Sequence, residues 1–397
     1  MQIVASSRRV CCPLLVLIAL LAFSAACHAV TMRVTLGFDG VQKSGLWTPV
    51  AVSLTNKSDE NVEGLLVPSV PPEVGIPPLP VCMTPVTLPA HSTKLYHTYI
   101  RLYPFGPKLT VSLLPRHFGV LASRDVATLV VDANDKLIVT IGPRAARLSF
   151  MQGETIPVQR RQGSYYGPAQ PSQATIYAGS LSPRELPDRS AAYEGANVII
   201  ASDLSPDTVN PNALKALSMW VAGGGTLVVS AGADYKALTN PFYDELLPVQ
   251  ILGAADLAGM QALGPLGRTT FPAGPAAVTK VAVKPGIGSI VASEPGAPLI
   301  VDRRYGAGNV VFLAFDIHAS PFKDWDGQTE FWKSIIKNSA TEPAISTTTV
   351  FAGDQSRGGY YQQDYSATGL AAVAMQNPSI KTPSINTIAF FLLAYLI

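Results

Sequence analysis

The stretch NVIIASDLSPDTVNPNALKALSMWVAGGGTLVVS (Asn197–Ser230) decides how the middle of this chain is read. Val198-Ile199-Ile200-Ala201 and Thr226-Leu227-Val228-Val229 are short runs with apolar side chains on both faces, as expected of strands in a parallel sheet covered on both sides. Between them, Asn210 suits a helix N-cap and Pro211 the first helical position, where no N–H is needed. Ala213, Leu214, Leu217, Trp220 and Val221 fall on one helical face, and Gly223 supplies a stop. Strand, helix and strand in this length form a βαβ unit with a right-handed crossover. Leu137-Ile138-Val139-Thr140-Ile141 has the same two-faced apolar character and extends the sheet.

Upstream of residue 136 the pattern differs. Val30 to Phe38 alternates in polarity, and Trp47 to Leu54, Val62 to Val67, Thr93 to Leu102, Lys108 to Leu114 and Val126 to Val131 are further short runs separated by polar or Pro-rich turns. Residues 30–135 therefore read as an all-β, Ig-like sandwich. Downstream, Pro298 to Arg304 and Asn309 to Phe315 flank Tyr305-Gly306-Ala307-Gly308 as a hairpin, and Phe331 to Ile336 reads as a short helix. The expected class is α/β, a doubly wound parallel sheet over residues 136–340 preceded by the sandwich. Residues 341–384, rich in Ser, Thr, Gly, Gln and Tyr, read as a linker.

Both ends carry targeting signals. Arg8 and Arg9, an apolar Leu14 to Phe23 and the small-residue ending Cys27-His28-Ala29 make 1–29 a secretory signal peptide cleaved after Ala29. A competing reading lipidates Cys27; the missing Leu three places before it argues against that. Residues 385–397 end in an unbroken apolar run, Ile388 to Ile397, which reads as the start of a truncated transmembrane helix. The expected location is the cell membrane with the bulk of the chain extracytoplasmic, and the expected partners are the membrane through that helix and an envelope protein or glycan.

Composition excludes several functions. Charged residues are 14% of the 397, too few for a disordered or coiled-coil chain, and Arg8 and Arg9 of the leader account for the whole net charge of +2. A neutral mature chain has no electrostatic footprint for nucleic acid. After removal of the leader only Cys82 remains, so an intramolecular disulfide is excluded. His91, His97, His117 and His318 lack metal-ligand spacing, and Asp324-Trp325-Asp326-Gly327 begins like a calcium loop without completing one. Neither a metal nor a cofactor is expected. Gly223-Gly224-Gly225 precedes a strand instead of opening a helix, unlike a phosphate cradle. Arg160 to Gly167 and 358–365 have an aromatic composition that could serve glycan or partner contact, but flexible linkers share it, and the linker reading is preferred.

Several motifs in order — Leu137 to Gly142, Tyr193 to Asp203, Trp220-Val221-Ala222-Gly223-Gly224-Gly225-Thr226-Leu227-Val228-Val229, Leu246 to Val249 and Tyr305 to Val311 — resemble a bacterial family. It is the class I glutamine-amidotransferase-like (flavodoxin-like) domain of uncharacterised membrane proteins with an N-terminal β-sandwich and a following transmembrane helix. The resemblance implies a nucleophilic Cys on a sharp turn within Cys-x-Gly and a downstream His-x-Glu. This chain has Ser230-Ala231-Gly232 at that turn and Asp316-Ile317-His318 downstream. The thiol is missing, so the expectation is a non-catalytic, degenerate domain acting by binding or assembly. Two alternatives stay open. One is an envelope hydrolase with Ser230 as nucleophile, His318 as base, and Asp203 or Asp316 orienting the ring. The other is a ligand-sensing ectodomain. In an open α/β sheet a ligand crevice lies beyond the carboxyl ends of the strands, here at Gly142, Asp203, Ser230 and Asp316.

Overall fold

The computed structural model describes residues 30–70, 81–102, 108–116, 119–132, 134–142, 145–158, 172–202 and 204–339. The leader at 1–29, the aromatic loop at 160–167, Asp203, His117 and everything from 340 onward lie outside these residues. The chain divides into two compact units. One draws its described residues from 1–36, 49–100 and 105–128, the other from 37–48, 101–104 and 129–397.

The first unit is all β. In chain order the strands are β1 (Val30–Leu36), β2 (Val41–Lys43, which belongs to the second unit), β3 (Trp47–Asn56), β4 (Val62–Ser69), β5 (Val81–Cys82), β6 (Thr84–Leu88), β7 (Thr93–Arg101), β8 (Lys108–Pro115) and β9 (Ala122–Ala127). They form two four-stranded sheets, ordered β1-β3-β7-β5 and β6-β4-β8-β9. Every second side chain turns inward, as the period of two requires: Leu109, Val111 and Leu113 of β8 are fully buried while Lys108 is exposed. Leu66 of β4 lies directly opposite Leu113, and Val50, Val52 and Leu54 are buried from the other sheet. Asn56 donates from its side-chain amide to the carbonyls of Glu60 and Pro89, tying the polar turn after β3.

The second unit continues with β10 (Leu129–Val131), which pairs in parallel with β2, then β11 (Lys136–Ile141), β12 (Thr155–Val158), β13 (Ser172–Leu181), β14 (Val198–Ser202), helix α1 (Pro211–Ala222) and β15 (Thr226–Ser230). After these come α2 (Pro241–Leu246), β16 (Val249–Leu257), α3 (Gly264–Gly267), β17 (Ala276–Val283), β18 (Ser289–Glu294), β19 (Ala297–Tyr305), β20 (Gly308–Leu313) and α4 (Gln328–Asn338). Its largest sheet has the order β12-β13-β11-β14-β15-β20-β19-β18. The five strands from β13 to β20 run parallel, while β12, β19 and β18 pair antiparallel at the flanks. Buried polar groups hold its rim: Lys43 Nζ donates to Asn197 Oδ1 at 2.6 Å, and Leu137 N donates to the same oxygen at 2.9 Å. Burial pushes the Glu194 carboxyl pKa up, against the lowering pull of a Trp47 backbone hydrogen bond and the Arg101 guanidinium.

Helix α1 follows from its sequence. Asn210 Oδ1 accepts from Asn212 N at 2.9 Å, Pro211 sits at the first turn, and Ala213, Leu214, Ala216, Leu217, Trp220 and Val221 are buried. The glycine triplet closes it with two different demands. Gly224 takes φ +128°, and a Cβ on Gly225 would lie 2.3 Å from the Trp220 ring.

The structure corrects the expected fold class. The chain is predominantly β, with five sheets among its described residues, and the largest is mixed. A flavodoxin-like doubly wound sheet needs a helix at each crossover. Among the described residues only the β14-to-β15 connection is a helix of several turns; those between β11 and β13 include a 3₁₀ helix and β12, and β15 to β20 carries the β16–β17 ribbon and two more strands. Two-faced apolar runs report that a strand is covered, without reporting what covers it. In this unit ribbons and loops share that role with the helices.

The expected membrane partner is also corrected. Among the described residues no helix is long and apolar enough to cross a membrane; α1 and α4 have 12 and 11 residues. Attachment through a C-terminal helix is therefore unsupported, and residues 385–397, where it was placed, lie outside the described residues.

Candidate functional site

The carboxyl ends of the parallel strands bring most of the sequence candidates together. Ser202 and Ser230 end β14 and β15 and face each other in register. Gly142 follows β11, and Asp316 and His318 lie on the turn after β20. Asp203 lies outside the described residues.

Their pairing differs from the proposed triad. His318 Nε2 shares a hydrogen bond with Ser202 Oγ at 3.1 Å, and both residues are buried, at 5% and 2% exposure. Ser230, also buried, is engaged elsewhere: its Oγ donates to Phe315 O at 3.0 Å and accepts from Ile317 N at 3.2 Å. That hydroxyl closes the turn after β20 from the neighbouring strand. Asp316 Oδ1 accepts from His318 N at 2.8 Å, so the acid orients the backbone of the turn.

Two glycines set how closely the loops approach. Gly142 has φ +141°, and a Cβ there would stand 2.3 Å from Ser202 O. Gly232, at φ +122°, would place one 2.9 Å from the Asp316 Cβ. Thr279 of β17 holds the Gly232 peptide at both ends, accepting from its N–H at 3.0 Å and donating to its carbonyl at 2.6 Å. Sequence reading gives Ser202 and Thr279 no role at the site and names Gly232 only as the end of the Ser230-Ala231-Gly232 turn. The position of Ser202 as the last residue of an apolar run is a visible signal; the Thr279 contact, which joins distant segments, leaves none.

Beside this network lies a pocket of about 120 Å³. Its walls include Ala231, Ala233 and Asp234 on the loop after β15, and Phe315, Asp316, Ala319 and Ser320 after β20. Among the described residues no group of three or more His, Cys, Asp or Glu side chains is placed to hold a metal ion. His91 contacts Asp59 at 2.7 Å on the surface of the first unit, and Asp324 accepts from the Ser320 hydroxyl. Cys82 is a half-buried free thiol.

Fold and site together define a two-unit, β-dominated protein with a polar network at the strand ends of its second unit. Residues 29–128, the span holding β1 to β9, match the model of a domain of unknown function, DUF8726. No curated protein matches the chain. Among solved structures it is similar to a cytoplasmic protein of Salmonella typhimurium LT2, with 19% identity, 51% of this chain and 99% of that one covered, and a TM-score of 0.37. A second Salmonella typhimurium cytoplasmic protein has 16% identity, coverage of 52% and 100%, and a TM-score of 0.37. A Paenibacillus cycloisomaltooligosaccharide glucanotransferase has 10% identity, coverage of 52% and 29%, and a TM-score of 0.21.

Proposed function

We propose that this is a non-catalytic extracytoplasmic protein that works by binding or assembly in the cell envelope. One observation carries the reading: the hydroxyl of Ser230, the residue standing where the resembling amidotransferase-like family has its nucleophilic thiol, spends both its donor and its acceptor on the Phe315–Ile317 backbone. A nucleophile needs a base to take its proton and an open path to substrate. Ser230 has a carbonyl where the base would be, and His318 is turned to Ser202. The extracytoplasmic placement rests on the leader features of residues 1–29.

Ser230→Ala is the test. It leaves a buried N–H and C=O without their partner, so stability falls by about 1–3 kcal/mol in a urea titration. Hydrolysis of p-nitrophenyl esters by the wild type stays at the buffer rate. Turnover above that rate, lost in Ser230→Ala, would overturn the reading and favour the hydrolase.

A further inference from the structure

We propose that a corner of the second unit built from Gln42, Trp47 and Arg101 binds the carboxylate of a small organic monoanion, with the Arg101 guanidinium as its fork. This names a ligand class for the binding role proposed above and rests on that reading. All three residues fall in the second unit, Trp47 as the first residue of β3 and Arg101 as the last of β7. The guanidinium carbon of Arg101 lies 5.0 Å from the centre of the Trp47 ring. Such stacking fixes the plane of the guanidinium and leaves its edge, which carries the N–H donors, for a partner. Among the described residues no hydrogen bond or ion pair takes up that edge, and Arg101 Nε is buried without an acceptor.

Gln42 is an independent sign of the same kind. It lies on β2, is 1% exposed, and among the described residues neither Nε2 nor Oε1 of its amide has a partner. Buried donors and acceptors left unmade are costly and rare in native structures. Gln42 and Trp47 flank one turn, closed where Leu46 N donates to Lys43 O at 3.5 Å. Gly45 N donates from that turn to Leu102 O at 2.8 Å, which brings up the residue after Arg101, and Ser44 N donates to Val131 O at 2.9 Å. Two side chains with unmade bonds at one pinned turn point to a polar group that completes them, in a place fixed before the ligand arrives. Glu194 selects the charge of that group. Its carboxyl accepts from the Trp47 backbone and feels the Arg101 charge, yet makes no ion pair with it among the described residues. A single negative charge is tolerated beside that acid, and a doubly charged phosphate is opposed more strongly. A planar carboxylate also matches two parallel N–H groups of the fork.

The test follows the indole N–H signals of the whole chain, which has four tryptophans, by NMR during titration with sodium acetate at constant ionic strength. The expected result is a saturable shift of one signal, the one missing from Trp47→Phe, with sodium phosphate binding more weakly. Arg101→Lys keeps the charge, loses the fork, and weakens acetate binding at least about tenfold. Gln42→Leu removes both unpartnered atoms, so the melting temperature rises while the affinity for acetate falls. Absence of any saturable shift, phosphate binding as tight as acetate, or unchanged affinity in either variant would each overturn the proposal. None of these results touches the non-catalytic reading, which fails separately if Ser230-dependent turnover is found.

Discussion

Gly142→Ala is expected to destabilise the second unit by about 3 kcal/mol, since a side chain held at strained positive φ costs about 1–3 kcal/mol before any collision is counted. The residue has φ +141°, and the added methyl would sit 2.3 Å from the Ser202 carbonyl oxygen and 3.3 Å from its hydroxyl. Relief requires β11 and β14 to part at the end where Ser202 holds His318. A denaturation midpoint that falls accordingly, with loss of the His318 ring-proton signals characteristic of a fixed imidazole, is the expected outcome. A loss under about 1 kcal/mol would show that the strand ends tolerate separation, well below the strain such a backbone position carries.

The second large effect belongs to Phe331→Ala, with an expected loss of about 3–5 kcal/mol. Phe331 is fully buried in α4, and its ring centroid lies 5.1 Å from Phe322, 5.2 Å from Trp332, 6.3 Å from Trp325 and 6.4 Å from Phe315. Truncation removes several edge-to-face contacts at once and leaves a cavity under Phe315, a wall of the pocket. Phe331→Leu fills most of that space and should retain the greater part of the stability. Urea titrations of the two variants check this, and equal losses in both would contradict the packing argument.

What the sequence reveals of this architecture depends on how local each cause is. Helix α1 is legible because its cap, its proline and its apolar face are all within a dozen positions, and the cap contact of Asn210 follows from residue type alone. The two-faced runs at 137–141, 198–202 and 226–230 identify buried strands, and the three lie side by side in parallel. Extending them to a doubly wound sheet fails, because the covering of a strand is supplied by segments far away in the chain. β16 is the clearest case. It alternates in burial over Val249–Leu257, yet Gly253, Ala254 and Ala255 give that alternation little hydrophobic contrast, so 250–277 is silent to pattern reading. At the site, His318 and Ser230 are recognisable as polar residues beside apolar strands. Which serine meets the histidine is decided by turn geometry after β20, and the turn gives Ser202 the ring and Ser230 the backbone.

The claim beneath these arguments is that the hydroxyls and the imidazole at the strand ends hold loops in place and do not react. Intact-mass analysis of the folded protein after treatment with a fluorophosphonate, followed by peptide mapping, tests it most directly. No adduct on Ser202 or Ser230 is predicted. A single stoichiometric adduct on either serine, abolished by His318→Ala, would contradict it.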